Sequence, residues 1–282
     1  MAFEHVVWLG GGTGSGKSTV ARLLAARHGL RCFRVDDFWY AHDARLDEPR
    51  LTPDEQWLGL TPEEQAAAFE ETSRRRFQLV LADLVALPTR PGIVVEGPQI
   101  LPDLLPSGAA AVFLVPTAEL QRSLLAQRPL PPRANPHLAL ENRIEKDRLF
   151  AERVASQAAA RGFELVRVDG RRPPDELTDA VERALGSGLD SNGGQADLHS
   201  ARRWENDVFA RNVRSWLAST DTLAEPPARY SFVCECGRRG CAEQVLLSLD
   251  EYEATRRALA PLHAADGDSH RVEDDERSPG QQ

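Results

Sequence analysis

Residues 10–19 read Gly-Gly-Gly-Thr-Gly-Ser-Gly-Lys-Ser-Thr and contain the spacing G-x-x-x-x-G-K-[ST] as Gly11, Gly16, Lys17 and Ser18. Glycine accepts backbone angles and close approaches that a Cβ forbids, so such a run can turn successive N–H groups inward around an anion. The residues that would form this cradle are Gly11, Gly12, Thr13, Gly14, Ser15 and Gly16, with Thr19 just beyond. In this spacing Lys17 reaches the β- and γ-phosphates of a nucleotide and the Ser18 hydroxyl is a ligand for Mg²⁺. A chance match in a chain of this length is roughly a one-per-cent event.

The flanks agree with that reading. His5-Val6-Val7-Trp8-Leu9 is an apolar run suited to a buried parallel strand, and Ser18 to His28 places Val20, Leu23 and Leu24 at helical spacing. Strand, glycine loop and helix are the context the motif requires. Lys17 and Lys146 are the chain's two lysines; every other basic side chain apart from histidine is arginine. Nucleotide binding, with ATP as the nucleotide, is the expectation.

The 282 residues, 41% of them hydrophobic, leave room for one sizeable domain and a smaller one. No apolar run approaches the ~20 residues that span a bilayer, and residues 1–9 lead straight into the loop without a signal peptide, so a cytoplasmic protein is expected. A net charge of −9 argues against a general nucleic-acid partner. The four cysteines, three of them late in the chain, do not form the pattern of a secreted disulfide framework.

A second strand, Leu30 to Val35, ends at Asp36-Asp37-Phe38-Trp39-Tyr40. Ligands of open α/β sheets sit beyond the carboxyl ends of the strands, which brings these aspartates toward the phosphates. Aspartates at a strand end also start turns and cap helices. The segment V-D-D-F-W-Y, one strand after a phosphate loop, resembles the Asp-x-Phe-Tyr segment of uridine-kinase-like P-loop kinases, and its Val-Asp-Asp-Phe wording is similar to chloramphenicol phosphotransferase. The resemblance covers residues 5–185. It implies that Asp36, or else Asp37, accepts the proton of an attacking hydroxyl, and that the 41–91 region binds the acceptor. Trp39, Tyr40 and Trp57 are candidates to line that pocket.

Within 41–91 an amphipathic helix is expected around Ala66 to Leu87, with Phe69, Phe77, Leu81, Leu84 and Val85 on its apolar face. Gly92-Ile93-Val94-Val95-Glu96-Gly97-Pro98 is a third strand closed by an acid and a turn. Glu96 either ends the strand or holds Mg²⁺ and orients the acceptor. Nucleoside-monophosphate kinases carry Asp-Gly-x-Pro-Arg here; Glu96-Gly97-Pro98-Gln99 lacks the arginine, which favours a non-nucleotide acceptor or a nucleoside. Ala110–Val115 and Phe163–Val168 complete five strands. Between them lies a lid-like region containing Arg128, Arg133, Arg143 and Arg148, for three of which solvated salt bridges on a helix surface are the expectation. In related kinases such arginines close over the transferred phosphoryl group, and Arg128 and Arg133 are the preferred candidates.

The pattern predicts a three-layer α/β P-loop domain with a five-stranded parallel sheet over residues 1–185 and a glycine- and serine-rich linker over 186–201. A small α+β cysteine module follows over 202–263, then an acidic disordered tail over 264–282, where six acids face two arginines. Cys234, Cys236 and Cys241 form C-x-C-x₄-C, three thiols for a zinc ion that wants four ligands, with His263 the nearest fourth. Reduced, buried thiols are the other reading. The module is similar to one of uncharacterised bacterial proteins, and that likeness implies no activity. The functional expectation is ATP-dependent phosphoryl transfer to a hydroxyl of a small molecule. The alternative is an ATP-gated regulatory ATPase or binding protein acting through its C-terminal module.

Overall fold

The computed structural model describes residues 3–47, 51–127, 134–186, 189, 194–219 and 229–264. Five parallel strands form the central sheet: β1 (Val6–Gly11), β2 (Arg31–Arg34), β3 (Ile93–Glu96), β4 (Ala111–Pro116) and β5 (Glu164–Val168), in the order β2-β3-β1-β4-β5. β1 sits at the centre, with Trp8 opposite Val95 on one side and Ala111 on the other. Its residues are buried along their whole length, as parallel strands covered on both faces require.

Side-chain alternation splits the core in two. Val7 and Leu9 pack with Val20 and Leu24 of α1 (Lys17–His28) and Leu177 and Val181 of α7 (Pro174–Leu185). Val6 and Trp8 face the other way, toward Phe77, Val80 and Leu84 of α4 (Pro62–Val85) and Phe150 and Val154 of α6 (Pro136–Arg161). The predicted layers are therefore present. Their connections include α2 (Trp39–Leu46), α3 (Pro53–Leu58) and α5 (Ala118–Ala126). No helix among the described residues is long and apolar enough to cross a membrane.

α4 begins at Pro62, where the run Thr61-Pro62-Glu63-Glu64 carries the sequence pattern of a helix start, a capping threonine, a proline and acids in the first turn. Thr61 and Glu64 form a reciprocal capping box with proline at the first helical position, which fixes the start. Val85, expected on the apolar face, is 73% exposed. At 100° per residue it lies well to the side of the stripe through Phe77, Leu81 and Leu84.

The C-terminal elements are α8 (Gln195–Leu217), the antiparallel pair β6 (Tyr230–Val233) and β7 (Gln244–Leu247), and α9 (Leu249–Arg257). α8 begins inside the stretch expected as linker. The Asp197 carboxylate accepts from the Gly194 N–H at 2.9 Å, and Leu198 is buried, so local capping and burial extend the helix past the composition signal. The acidic tail lies outside the described residues beyond Ala264.

α8 covers the sheet's open edge. Glu205 accepts from the Cys32 N–H at 2.8 Å and pairs with Arg202, which donates to the Ala25 carbonyl at the end of α1. Trp204 lies against Phe33 and Phe38 with ring centroids 6.0 and 5.9 Å away. The loop between β6 and β7 grips the other side of α1, through Gly240 N–H to Ala26 O at 2.7 Å and Arg22 to Ala242 O at 2.5 Å. Inside the module, buried Glu235 is held by Arg256, Asn206 and the Leu262 N–H.

Both side chains of the Arg202–Glu205 pair are 9% exposed, so removing one partner strands the other. Glu205→Ala should lower stability by about 3–5 kcal/mol in urea unfolding. A loss under about 1 kcal/mol would show that the edge contact is peripheral.

Candidate active site

The phosphate loop leaves β1 at a position where only glycine fits. Gly11 has φ +125°, and a Cβ there would stand 2.0 Å from the Leu114 carbonyl oxygen. Gly16 caps α1 in the left-handed region at φ 80°. Between them the chain wraps Lys17: its Nζ donates to the Gly12 carbonyl at 2.7 Å and approaches Ser15 Oγ at 3.4 Å. Lys17 is 6% exposed and Ser15 is fully buried. The ammonium thus lies folded across the loop. Gln121 of α5 joins this loop to α6, donating to Thr13 O at 3.2 Å and Asp147 O at 3.4 Å.

The carboxylates expected from the sequence collect at the same end of the sheet. Glu96 ends β3, is 2% exposed and lies beside the Ser18 side chain. Burial pushes its pKa up and nearby Asp36 adds to this, while Lys17, Arg34 and Ser18 oppose the rise. Asp36 and Asp37 occupy a single 3-10 turn, Val35–Phe38, between β2 and α2. Asp36 is exposed, and its Oδ1 accepts from the Gln99 amide at 2.8 Å. Asp37 points into the protein, where Arg34 lies 3.1 Å away. Burial raises its pKa to about 7 despite Arg34, with Glu96 and Asp36 adding to the rise.

Gln99 and Arg34 are functional neighbours that sequence reasoning missed. Gln99 was legible only as a missing arginine; buried after β3, it turns its amide to Asp36. Arg34 sits over the Phe209 ring of α8 at 5.3 Å and lies 3.9 Å from Glu96, linking the module to the acids.

Trp39, Tyr40, Trp57 and Phe69 line an open cavity of about 280 Å³ among α2, α3, α4 and α6, with Arg76 and Lys146 in its wall. Arg76, 1% exposed, lies over the Trp39 ring at 4.1 Å and pairs with Asp43 at 2.5 Å. Lys146 lies over Phe69 at 4.1 Å and donates to Asp147 at 2.8 Å. The second lysine therefore stands at a cavity wall. Of the expected lid arginines, Arg128 and Arg133 lie outside the described residues. Arg122 pairs with Glu141, and Arg148 with Glu145 and Glu152.

The sulfurs of Cys234, Cys236 and Cys241 lie within 4.8 Å of one another. Backbone N–H groups of Ala264 and Arg238 point at Cys234 Sγ and Cys236 Sγ, each at 3.5 Å, a pattern that favours thiolates. A hydrogen bond from Cys241 lowers the Cys234 pKa and raises that of Cys241. His263, expected as fourth ligand, is exposed and does not join the group. The chain turns there to give its backbone, not its imidazole, to the sulfurs.

No protein-family model matches the chain, and no characterised protein matches it in sequence. Among solved structures, a shikimate kinase from Acinetobacter baumannii in complex with shikimate is 19% identical over 64% of this chain and 90% of that one, at a TM-score of 0.39. Shikimate kinase from Aquifex aeolicus vf5 is 20% identical over 64% and 95%, at a TM-score of 0.36. Likeness at this level carries no assignment of activity.

Lys17→Ala should weaken ATP binding tenfold to a hundredfold or more in calorimetry, the range for losing a charge-assisted bond to phosphate, with the fold retained. Unchanged affinity would remove the loop from nucleotide binding. Asp37 gives a pH signature. Its folded pKa of about 7 stands above the ordinary 3.8, so ionising it costs stability progressively as pH rises between those values. Asp37→Asn should therefore be stabilising at about pH 8, by roughly 1.4 kcal/mol for each tenfold change in proton affinity on folding, and show little of that gain at about pH 4. Urea midpoints that do not diverge with pH would contradict the buried placement.

Proposed function

We propose that this protein transfers the γ-phosphoryl group of ATP to a hydroxyl of a small molecule. One observation carries the reading: Lys17, Ser18, Glu96 and Asp36 converge where β1, β2 and β3 end. Lys17 and the loop amides hold the phosphates. Ser18 and Glu96 offer adjacent oxygen donors of the kind that suits a hard cation, and they would hold Mg²⁺. Bound there, the ion supplies neutralisation of charge on the phosphate oxygens.

The aromatic cavity is the acceptor site in this reading. Tyr40, in the first turn of α2 and in the cavity wall, follows Asp36 of the preceding 3-10 turn by four residues. The acceptor oxygen forms a bond to the γ-phosphorus as the bond from phosphorus to the bridging oxygen breaks. Its proton passes to Asp36, and ADP leaves. Gln99 fixes the Asp36 carboxylate by the 2.8 Å hydrogen bond, so the group is aimed before the acceptor arrives. Asp37 is a weaker candidate for base, since its charge is committed to Arg34 and its carboxyl is buried.

The cysteine cluster is proposed to bind zinc. Three converging sulfurs and two N–H···S contacts support it. The grip of the module on α1 also favours the regulatory ATPase as second reading, because that helix begins at Lys17.

Asp36→Asn keeps the shape and hydrogen bonding but cannot take the proton. It should lower phosphoryl transfer by ~10²-fold or more while leaving ATP binding within a few-fold. Asp37→Asn should do much less. A reversed order would make Asp37 the base; no effect from either would favour the regulatory ATPase. Purified protein should contain about one zinc per chain, and Cys236→Ser should lose most of it. Metal-free wild-type protein would end the zinc reading.

A further inference from the structure

The cysteine loop and the phosphate loop meet on one helix. α1 begins at Lys17 and runs for 12 residues to His28, on the order of 18 Å. The Ala26 carbonyl lies in its last turn, where a helix leaves carbonyls without an internal partner, and the Gly240 N–H donates to it at 2.7 Å. Two residues further along the cysteine loop, the Ala242 carbonyl accepts from Arg22 at 2.5 Å. Cys241 stands between these two contacts. Arg239 lies against Gly29, which caps α1, with its Nε 3.0 Å from where a Cβ would be. Ser18, Thr19 and Arg22 also share the wall of a cavity of about 210 Å³ with Cys241, Ala242 and Glu243. The turn that carries the third sulfur thus meets α1 at residues 22, 26 and 29 and borders the same cavity as its first turn.

We infer that metal binding at Cys234, Cys236 and Cys241 is coupled to nucleotide binding at the phosphate loop, the occupied cysteine site raising the affinity for ATP. The inference rests on the zinc reading and on the phosphate-loop reading. Its physical basis is the order of the cysteine loop. Three sulfurs within 4.8 Å of one another close residues 234–241 on a single ion, and segments of this kind draw their folding from the metal. With the ion bound, Gly240 and Ala242 are fixed on either side of a ligand, so both hydrogen bonds to α1 are set in advance. Without it the same segment loosens, and its hold on the helix weakens. A helix moves as one body, so whatever fixes residues 22–29 also fixes Lys17, Ser18 and Thr19 in the first turn. Phosphates then meet a loop that needs less ordering. The effect is reciprocal: the factor by which metal tightens ATP is the factor by which ATP tightens metal.

The test titrates the full-length chain with Mg–ATP in a calorimeter, in excess Mg²⁺, before and after zinc is removed with a chelator and dialysed away. Zinc-free protein should bind ATP about fivefold or more weakly, the lower end of typical coupling between sites. Zinc affinity, read by competition with a chromophoric chelator, should tighten by the same factor at saturating ATP. Arg22→Met keeps the aliphatic stem and loses the bond to Ala242. It should retain about one zinc per chain, bind ATP about as weakly as zinc-free wild type, and respond to zinc by less than about twofold. The two zinc-loaded proteins carry the comparison if the zinc-free chain unfolds. Equal ATP affinities in zinc-loaded wild type and Arg22→Met, equal affinities with and without zinc in wild type, or a zinc response as large in Arg22→Met as in wild type would each overturn the coupling while sparing both readings. A chain that takes up no zinc would end the zinc reading and the inference with it, whereas a zinc-loaded chain that binds no ATP would end the phosphate-loop reading.

Discussion

Ser18 and buried Glu96, lying side by side, join the two halves of the site. Ser18 belongs to the phosphate loop and Glu96 to the end of the neighbouring strand, so a hydroxyl and a carboxylate come together at the first turn of α1. An isolated buried carboxylate is costly, and Glu96 is tolerated because Lys17, Arg34 and Ser18 all face it. Asp36 tells against it electrostatically, which is the expected tension where several acids are gathered to meet a cation. The parallel β1–β3 pairing, with Leu9 opposite Glu96, sets this arrangement in register.

The C-terminal module belongs to the same framework. A sheet edge left open at β2 would expose the Cys32 N–H; Glu205 takes it up, and Arg202 balances Glu205. Phe209 then supplies the face on which Arg34 rests while that guanidinium neutralises Asp37. The chain of contacts from the cysteine loop to the acids of the site is therefore short, and it runs through α1 on one side and Arg34 on the other.

The strand, loop and helix at the start of the chain were legible because the signals were local: an apolar run, glycines with required angles, and Val20, Leu23 and Leu24 at helical spacing. The five strands were legible for the same reason, whereas their order was not, since pairing is decided by crossovers that leave no periodicity. The start of α8 was hidden by glycine and serine just before it, and only the Gly194–Asp197 contact marks it. Glu235, between two cysteines, carries no local sequence sign of being buried. Its buried role depends on Arg256, Asn206 and Leu262, far away in sequence. Gln99 likewise meets Asp36 across 63 residues. Contacts of this kind have no pattern to read. His263, next along the chain to the cysteine loop, is exposed, and the Ala264 N–H makes the contact to Cys234 instead.

The central claim is that phosphate released from ATP goes to an organic hydroxyl rather than to water. Its most direct measurement is mass spectrometry after incubating the protein with Mg–ATP carrying labelled γ-phosphoryl oxygens and a pool of small hydroxylated metabolites. The label should appear in a phosphorylated metabolite, formed with wild type and nearly absent with Asp36→Asn. Label found solely in inorganic phosphate, at a rate indifferent to the metabolite pool, would contradict the claim.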